Sequence, residues 1–256
     1  MKTKVLNRNG VDLSVVVEEP DKPTGLVFIC HGLGGFKEQV HIRAMAEELL
    51  RHGLIVVTYD AANTIGESGG DMQNATLTSY FEDLEDVANW SKNQKWHQAP
   101  FMVGGHSLGG AASILYAAKY PDKIKAVIPV SAFTGIDFKE TLKSFSPDVE
   151  EWKRKGYMLQ ESHSKPGVYK KIGWDFVEDG QKYDLRTNAS KVVCPALLIT
   201  GSEDQLCSPE QEQKVADRLS GPYELKVIKG MGHNPRSDQD LSQLQNTLST
   251  WLSEQK

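Results

Sequence analysis

The chain has 256 residues, 39% of them hydrophobic and 25% charged, a composition that suits one soluble globular domain with a substantial core. Its net charge of −5 comes from scattered basic and acidic residues with no concentrated basic face, so neither nucleic acid nor an anionic membrane is an expected partner. No secretory h-region follows Met1 and no apolar run reaches membrane-spanning length; with Cys30, Cys194 and Cys207 too widely spaced for a disulfide framework or metal pattern, the expectation is reduced thiols in a cytoplasmic protein.

Apolar runs alternate with helical periods along most of the chain. Residues 12–18 read as an antiparallel strand at a sheet edge. Residues 26–30 form a continuous apolar run, as do 54–59, 101–104, 126–130 and 195–199. Runs of this kind between polar turns suit strands covered on both faces, as in a parallel sheet, although Pro129 interrupts one of them. Between them, Ile42, Met45, Ala46, Leu49 and Leu50 share a helical face, and Tyr80, Leu84 and Val87 make a second stripe. Ser208, Pro209 and Gln211 supply an N-cap, a first-turn proline and a capping-box partner for a later helix. Residues 223–228 alternate as a half-buried strand, and Leu241, Leu244, Leu248, Trp251 and Leu252 line a last helix. This alternation predicts an α/β fold, a mostly parallel sheet flanked by helices.

The rhythm breaks over residues 134–188, which are rich in Lys, Glu, Gly and aromatic residues. The expectation is a single domain over residues 1–256 with this segment inserted as a small cap. Its aromatic residues, Phe138, Phe145, Trp152, Tyr157, Tyr169, Trp174 and Phe176 among them, would either cover a bound group or pack the cap onto the main domain. Asp179-Gly180 suggests a hairpin over residues 174–183.

The chemistry centres on Gly105-His106-Ser107-Leu108-Gly109, a G-x-S-x-G turn between a strand and a small-residue helix. That setting presents Ser107 as a nucleophile, with Leu108 N–H at the helix start as one oxyanion donor. An acid and a histidine are expected after later strands. Asp204 follows the 195–199 run, and His233 lies in a glycine-flanked loop after residues 223–228. Removing Asp204 is expected to cost less than removing Ser107 or His233, because a neighbouring acid could take its place. His31 and His106 flank motif glycines and suit turn hydrogen bonds; His41, His52, His97 and His163 suit surface or packing roles. The glycine-rich loop at Gly32-Leu33-Gly34-Gly35 offers Leu33 N–H as the second oxyanion donor. It lacks the pattern of a dinucleotide or P-loop site, and no cofactor or metal is expected.

Over nearly its whole length the sequence resembles the α/β-hydrolase superfamily. The resemblance rests on His31-Gly32-Leu33-Gly34-Gly35, Gly105-His106-Ser107-Leu108-Gly109-Gly110, Gly201-Ser202-Glu203-Asp204 and Gly232-His233, in the family's order. Within it the chain looks like small, short-lidded carboxylesterases, cinnamoyl or feruloyl esterases included, and like serine aminopeptidase-like hydrolases. The resemblance implies a Ser107–His233–Asp204 triad cleaving a small ester through an acyl-enzyme. Amide, thioester or carbon–carbon hydrolysis on the same triad is the alternative, and a non-catalytic ligand-binding protein is a third reading. One departure stands out: many relatives carry Asp-x-Arg-Gly-x-Gly-x-Ser after the second parallel strand, whereas here Asp60 to Ser68 lacks the Arg-Gly pair. Acidic residues that an amine-binding cap would need, Glu140, Glu150, Glu151 and Glu161, are present, and none is singled out.

Overall fold

The computed structural model describes residues 1–135, 138–146 and 148–255; the side chains of Phe138 and Glu140, named above, lie outside the described ones. The strands are β1 (Lys2–Leu6), β2 (Asp12–Glu18), β3 (Gly25–Cys30), β4 (Leu54–Tyr59), β5 (Phe101–His106), β6 (Ile124–Val130), β7 (Tyr157–Glu161), β8 (Tyr169–Gly173), β9 (Ala196–Gly201) and β10 (Tyr223–Ile228). The helices are α1 (Val40–Arg51), α2 (Leu77–Ser91), α3 (Leu108–Lys119), α4 (Phe138–Phe145), α5 (Val149–Lys155), α6 (Asp175–Gly180), α7 (Leu185–Ala189), α8 (Pro209–Ala216) and α9 (Asp238–Glu254).

Eight strands form one sheet in the order β1-β2-β4-β3-β5-β6-β9-β10, antiparallel from β1 to β4 and parallel from there on. Because side chains alternate along a strand, each fully buried strand feeds two cores. In β3, Val27 and Ile29 pack with Ile42, Met45 and Leu49 of α1 and Leu244 and Leu248 of α9. Leu26, Phe28 and Cys30 face the opposite layer, which holds Tyr80 and Leu84 of α2 and Ala111 and Leu115 of α3. Pro129 sits inside an interior strand, where a missing N–H leaves a gap in the ladder. Val127 N–H donates to Pro195 O at 3.0 Å and Ser131 N–H to Ile199 O at 2.7 Å on either side of it.

The outermost strand is β1, not residues 12–18, which pair on both sides. Only Val5 of β1 is buried, so no apolar run announces it, and its lysines suit an exposed edge. Between β6 and β9 the chain forms α4, α5, the β7–β8 hairpin, α6 and α7. A hairpin therefore exists, but at residues 157–173. Residues 175–180 are helical instead of extended: Phe176 and Val177 are both buried, and the Asp179 carboxylate accepts Thr78 N–H at 2.8 Å and Thr78 Oγ–H at 2.6 Å. The adjacent buried pair and the bound carboxylate override the turn preference of Asp-Gly. Among the described residues, no helix is long and apolar enough to cross a membrane.

Candidate active site

Strand β5 ends at His106 and α3 begins at Leu108, so Ser107 carries the whole turn, at φ 53° and ψ −113°. A non-glycine residue held there costs about 1–3 kcal/mol. The turn is pinned from outside: Ser107 N–H donates to Val130 O at 2.9 Å, and Phe133 N–H donates to Ser107 O at 3.1 Å. Glycine is required on both flanks, because a Cβ on Gly105 or Gly109 would run into the Cys30 carbonyl oxygen.

The loops after β9 and β10 bring Asp204 and His233 to this turn. Asp204 has a fully buried carboxylate whose Oδ1 accepts Leu206 N–H at 2.9 Å and Cys207 N–H at 2.8 Å. His233 Nδ1 lies 2.9 Å from Asp204 Oδ2, and His233 Nε2 lies 3.1 Å from Ser107 Oγ. A carboxylate accepts only, so Nδ1 carries the proton and Nε2 is left to accept from the serine hydroxyl. His106 fixes the backbone of that loop, its Nε2–H donating to His233 O at 2.7 Å. Burial, with the His41 and His233 rings close by, holds His106 well below the usual histidine range, so it stays a neutral donor.

The glycine loop after β3 approaches Ser107 closely: a Cβ on Gly32 would lie 3.1 Å from Ser107 Cβ. Three donors converge on the Gly32 carbonyl: His31 Nδ1–H at 2.8 Å, Tyr80 O–H at 2.9 Å and Gly35 N–H at 2.9 Å. The other ring nitrogen of His31 accepts Ala61 N–H at 3.1 Å, which fixes the tautomer. A peptide plane is rigid, so anchoring the Gly32 oxygen also sets the direction of Leu33 N–H. Neither Leu33 N–H nor Leu108 N–H has a hydrogen-bond acceptor among the described residues. Tyr80 read in the sequence as one residue of a packing stripe; only the fold reveals its hydroxyl on this loop. Tyr80→Phe should lower ester kcat by about tenfold with KM nearly unmoved, the signature of a lost transition-state contact. Steady-state kinetics check it, and a rise in KM at constant kcat would contradict it.

The remaining histidines divide as follows. His41 is buried edge-on against His106 at 4.5 Å, His52 meets Ser249 Oγ at 2.9 Å, and His97 meets Ser91 Oγ at 3.0 Å. His163 is exposed and joins the lining of a cavity of about 290 Å³ above Ser107. Phe145 is the one Phe, Tyr or Trp of residues 134–188 in that lining among the described side chains. Trp152 and Phe176 are buried against each other, Phe176 also meets Phe133, and Tyr169 is 62% exposed. Glu150, Glu151 and Glu161 do not line the cavity.

Asp60, in the loop that departs from the relatives' pattern, has its own partner. Lys37, 1% exposed, donates Nζ–H to Asp60 Oδ2 at 2.8 Å and backbone N–H to Oδ1 at 2.7 Å. Asp204, Cys207 and His233 offer ligand atoms within 4.8 Å of one another. Burial beside Asp204 and Glu212 pushes the Cys207 thiol well above its usual range, which keeps it protonated and a weak metal ligand.

The fold recurs in known proteins. The chain is 26% identical over 255 residues to the mitochondrial palmitoyl-protein thioesterase ABHD10 of Mus musculus, covering 95% of this chain and 80% of that protein. It is 24% identical over 267 residues to a monoacylglycerol lipase of Mycolicibacterium smegmatis, covering 95% and 93%. Est1E of Butyrivibrio proteoclasticus, solved with ferulic acid bound, superposes with a TM-score of 0.78 at 22% identity over 99% of both chains. The family model for serine aminopeptidase S33 matches residues 21–240. With a mostly parallel eight-stranded sheet and a match over most of its length, the chain belongs to the serine aminopeptidase S33 family of α/β-hydrolases.

Proposed function

We propose that the protein hydrolyses carboxylic esters through an acyl-enzyme on Ser107. The observation that carries this reading is the continuous line from Ser107 Oγ to His233 Nε2 at 3.1 Å and from His233 Nδ1 to Asp204 Oδ2 at 2.9 Å. In the proposed cycle Ser107 Oγ attacks the ester carbonyl as His233 Nε2 takes its proton. Leu33 N–H and Leu108 N–H receive the oxyanion, and each such donor is worth on the order of 10²–10³ in rate. His233 returns the proton to the departing alcohol, and water repeats the sequence to free the acid. Asp204 holds the imidazole in its productive tautomer and stabilises the imidazolium. The segment at residues 134–188 acts as a cap over the cavity. The three buried, unbridged cysteines favour a reducing compartment such as the cytoplasm.

The named activities of relatives, thioesterase and monoacylglycerol lipase, support acyl transfer to water as the reaction class. A thioester reading of the same machinery draws on the first of them. The test is turnover of p-nitrophenyl esters of short and medium acyl chains, together with labelling by a fluorophosphonate. Burst kinetics and labelling that maps to Ser107 are expected. Folded protein that neither turns over any ester of the series nor takes the label would overturn the proposal.

A further inference from the structure

The cavity over Ser107 has an unbalanced charge. Its lining holds Lys170 and Arg236 and, among the described residues, no aspartate or glutamate, in a chain with 34 acidic and 29 basic residues. Lys170 stands on β8 opposite Gln160 of β7, on the hairpin face that also carries buried Ile172, and its aliphatic stem packs against Gly34 of the oxyanion loop. Its ammonium has no hydrogen-bond or ion-pair partner among the described residues. Arg236, an exposed residue, arrives from the loop before α9 and among the described residues meets only neutral oxygens, His163 O at 3.2 Å and Ser164 Oγ at 3.3 Å. Two other cations drawn out of water, Lys37 and Arg43, each have a carboxylate partner.

A cation drawn out of water without a counter-charge is unfavourable, and the usual remedies are an ion pair or loss of the proton. Burial and the nearby Arg236 charge pull the Lys170 ammonium down to about 8. The two cations come from separate parts of the chain and meet only where the cap hairpin closes over the nucleophile. We propose that Lys170 and Arg236 form an anion subsite, and that the substrate is a small ester carrying a carboxylate a short distance from its scissile carbonyl. A cavity of about 290 Å³ with Gln39, Gln160, Ser164 and Asn234 among its walls suits a compact polar acid and is too small and too polar to enclose a long acyl chain. The substrate class rests on the hydrolase reading; the subsite itself does not.

Two matched pairs test it: monomethyl against dimethyl glutarate for an acid on the acyl side, and 4-acetoxybenzoate against 4-acetoxybenzamide for one on the alcohol side. In at least one pair kcat/KM should favour the anionic member by about tenfold or more, the worth of a hydrogen bond to a charged group. Lys170→Met and Arg236→Gln should each shrink that ratio, and the double variant should bring it close to one. Because the readout is a ratio, a variant that merely disturbs the fold lowers both members and leaves it unchanged, which would count against the subsite. Calorimetric binding of monomethyl glutarate and 4-acetoxybenzoate to Ser107→Ala separates the two proposals. Binding lost in Lys170→Met supports the subsite even if no ester is hydrolysed. Neutral members preferred in both pairs, or binding indifferent to both cations, overturns it.

Discussion

Ser107→Ala and His233→Ala should each lower kcat for a p-nitrophenyl ester by on the order of 10⁶, and the double variant should be scarcely worse than either. The reason lies in the single proton path. Among the described residues Ser107 Oγ has one basic neighbour, His233 Nε2 at 3.1 Å. Asp204→Asn should cost about 10⁴. An asparagine there keeps an oxygen for Leu206 and Cys207 N–H but turns its NH₂ toward His233 Nδ1. The imidazole then accepts at Nδ1 and carries its proton on Nε2, where it faces the serine hydroxyl and cannot take a proton from it. The sequence suggested that an adjacent acid could substitute, and the structure argues against that. Glu203 is exposed, with its N–H on Met231 O at 3.0 Å, while Glu212 has Oε1 on Ala132 N–H and burial pushes its carboxyl well above the usual range, which favours the neutral form. Steady-state kinetics on variants whose thermal melts match the parent decide the matter. Ser107→Ala retaining one part in a hundred of the activity would remove it as nucleophile, and Asp204→Asn within about tenfold of the parent would remove the tautomer argument.

Much of this geometry was legible because it is local. The strand–turn–helix around Ser107 is contiguous over residues 101–119, and continuous apolar runs such as residues 54–59 suit strands buried on both faces. The acid and histidine follow from chain order once the parallel sheet is accepted, since loops after successive strands gather at one end. The unread features are those whose partners are distant in sequence. Tyr80 carries the same apolar period whether or not its hydroxyl meets Gly32. Lys170 reads as one lysine among many until the hairpin places it beside Gly34. Strand β1 shows one buried residue, Val5, and so no run at all. Residues 174–183 misled because Asp-Gly is a strong local turn signal, and only contact with Trp152 and Thr78 makes α6 the better answer.

Lys37→Met should destabilise the protein by about 3–5 kcal/mol, the effect of stranding a buried carboxylate without its cation. Asp60 is fully buried and takes donors from Lys37 N at 2.7 Å, Lys37 Nζ at 2.8 Å and Glu67 N at 2.8 Å. Both backbone donors survive in the variant, so the lost element is the charge. Urea denaturation measures the change, and for a domain of this size each kcal/mol corresponds to roughly 2–4 °C in Tm. The double variant Lys37→Met with Asp60→Asn should be clearly less destabilised than the sum of the singles, because removing both charges strands neither. Additive singles would mean that the pair is not coupled. The same pair supports the site, since Ala61, next to Asp60, donates to His31 Nε2 at 3.1 Å, and His31 in turn anchors the Gly32 carbonyl. The Asp60 carboxylate is reached by a lysine from the glycine loop after β3, so the two loops are tied together. Loosening Lys37 should therefore lower kcat as well as stability, whereas Ser107→Ala should lower kcat and leave the urea midpoint in place. That contrast separates the proposed nucleophile from a residue that holds the neighbouring loop in place.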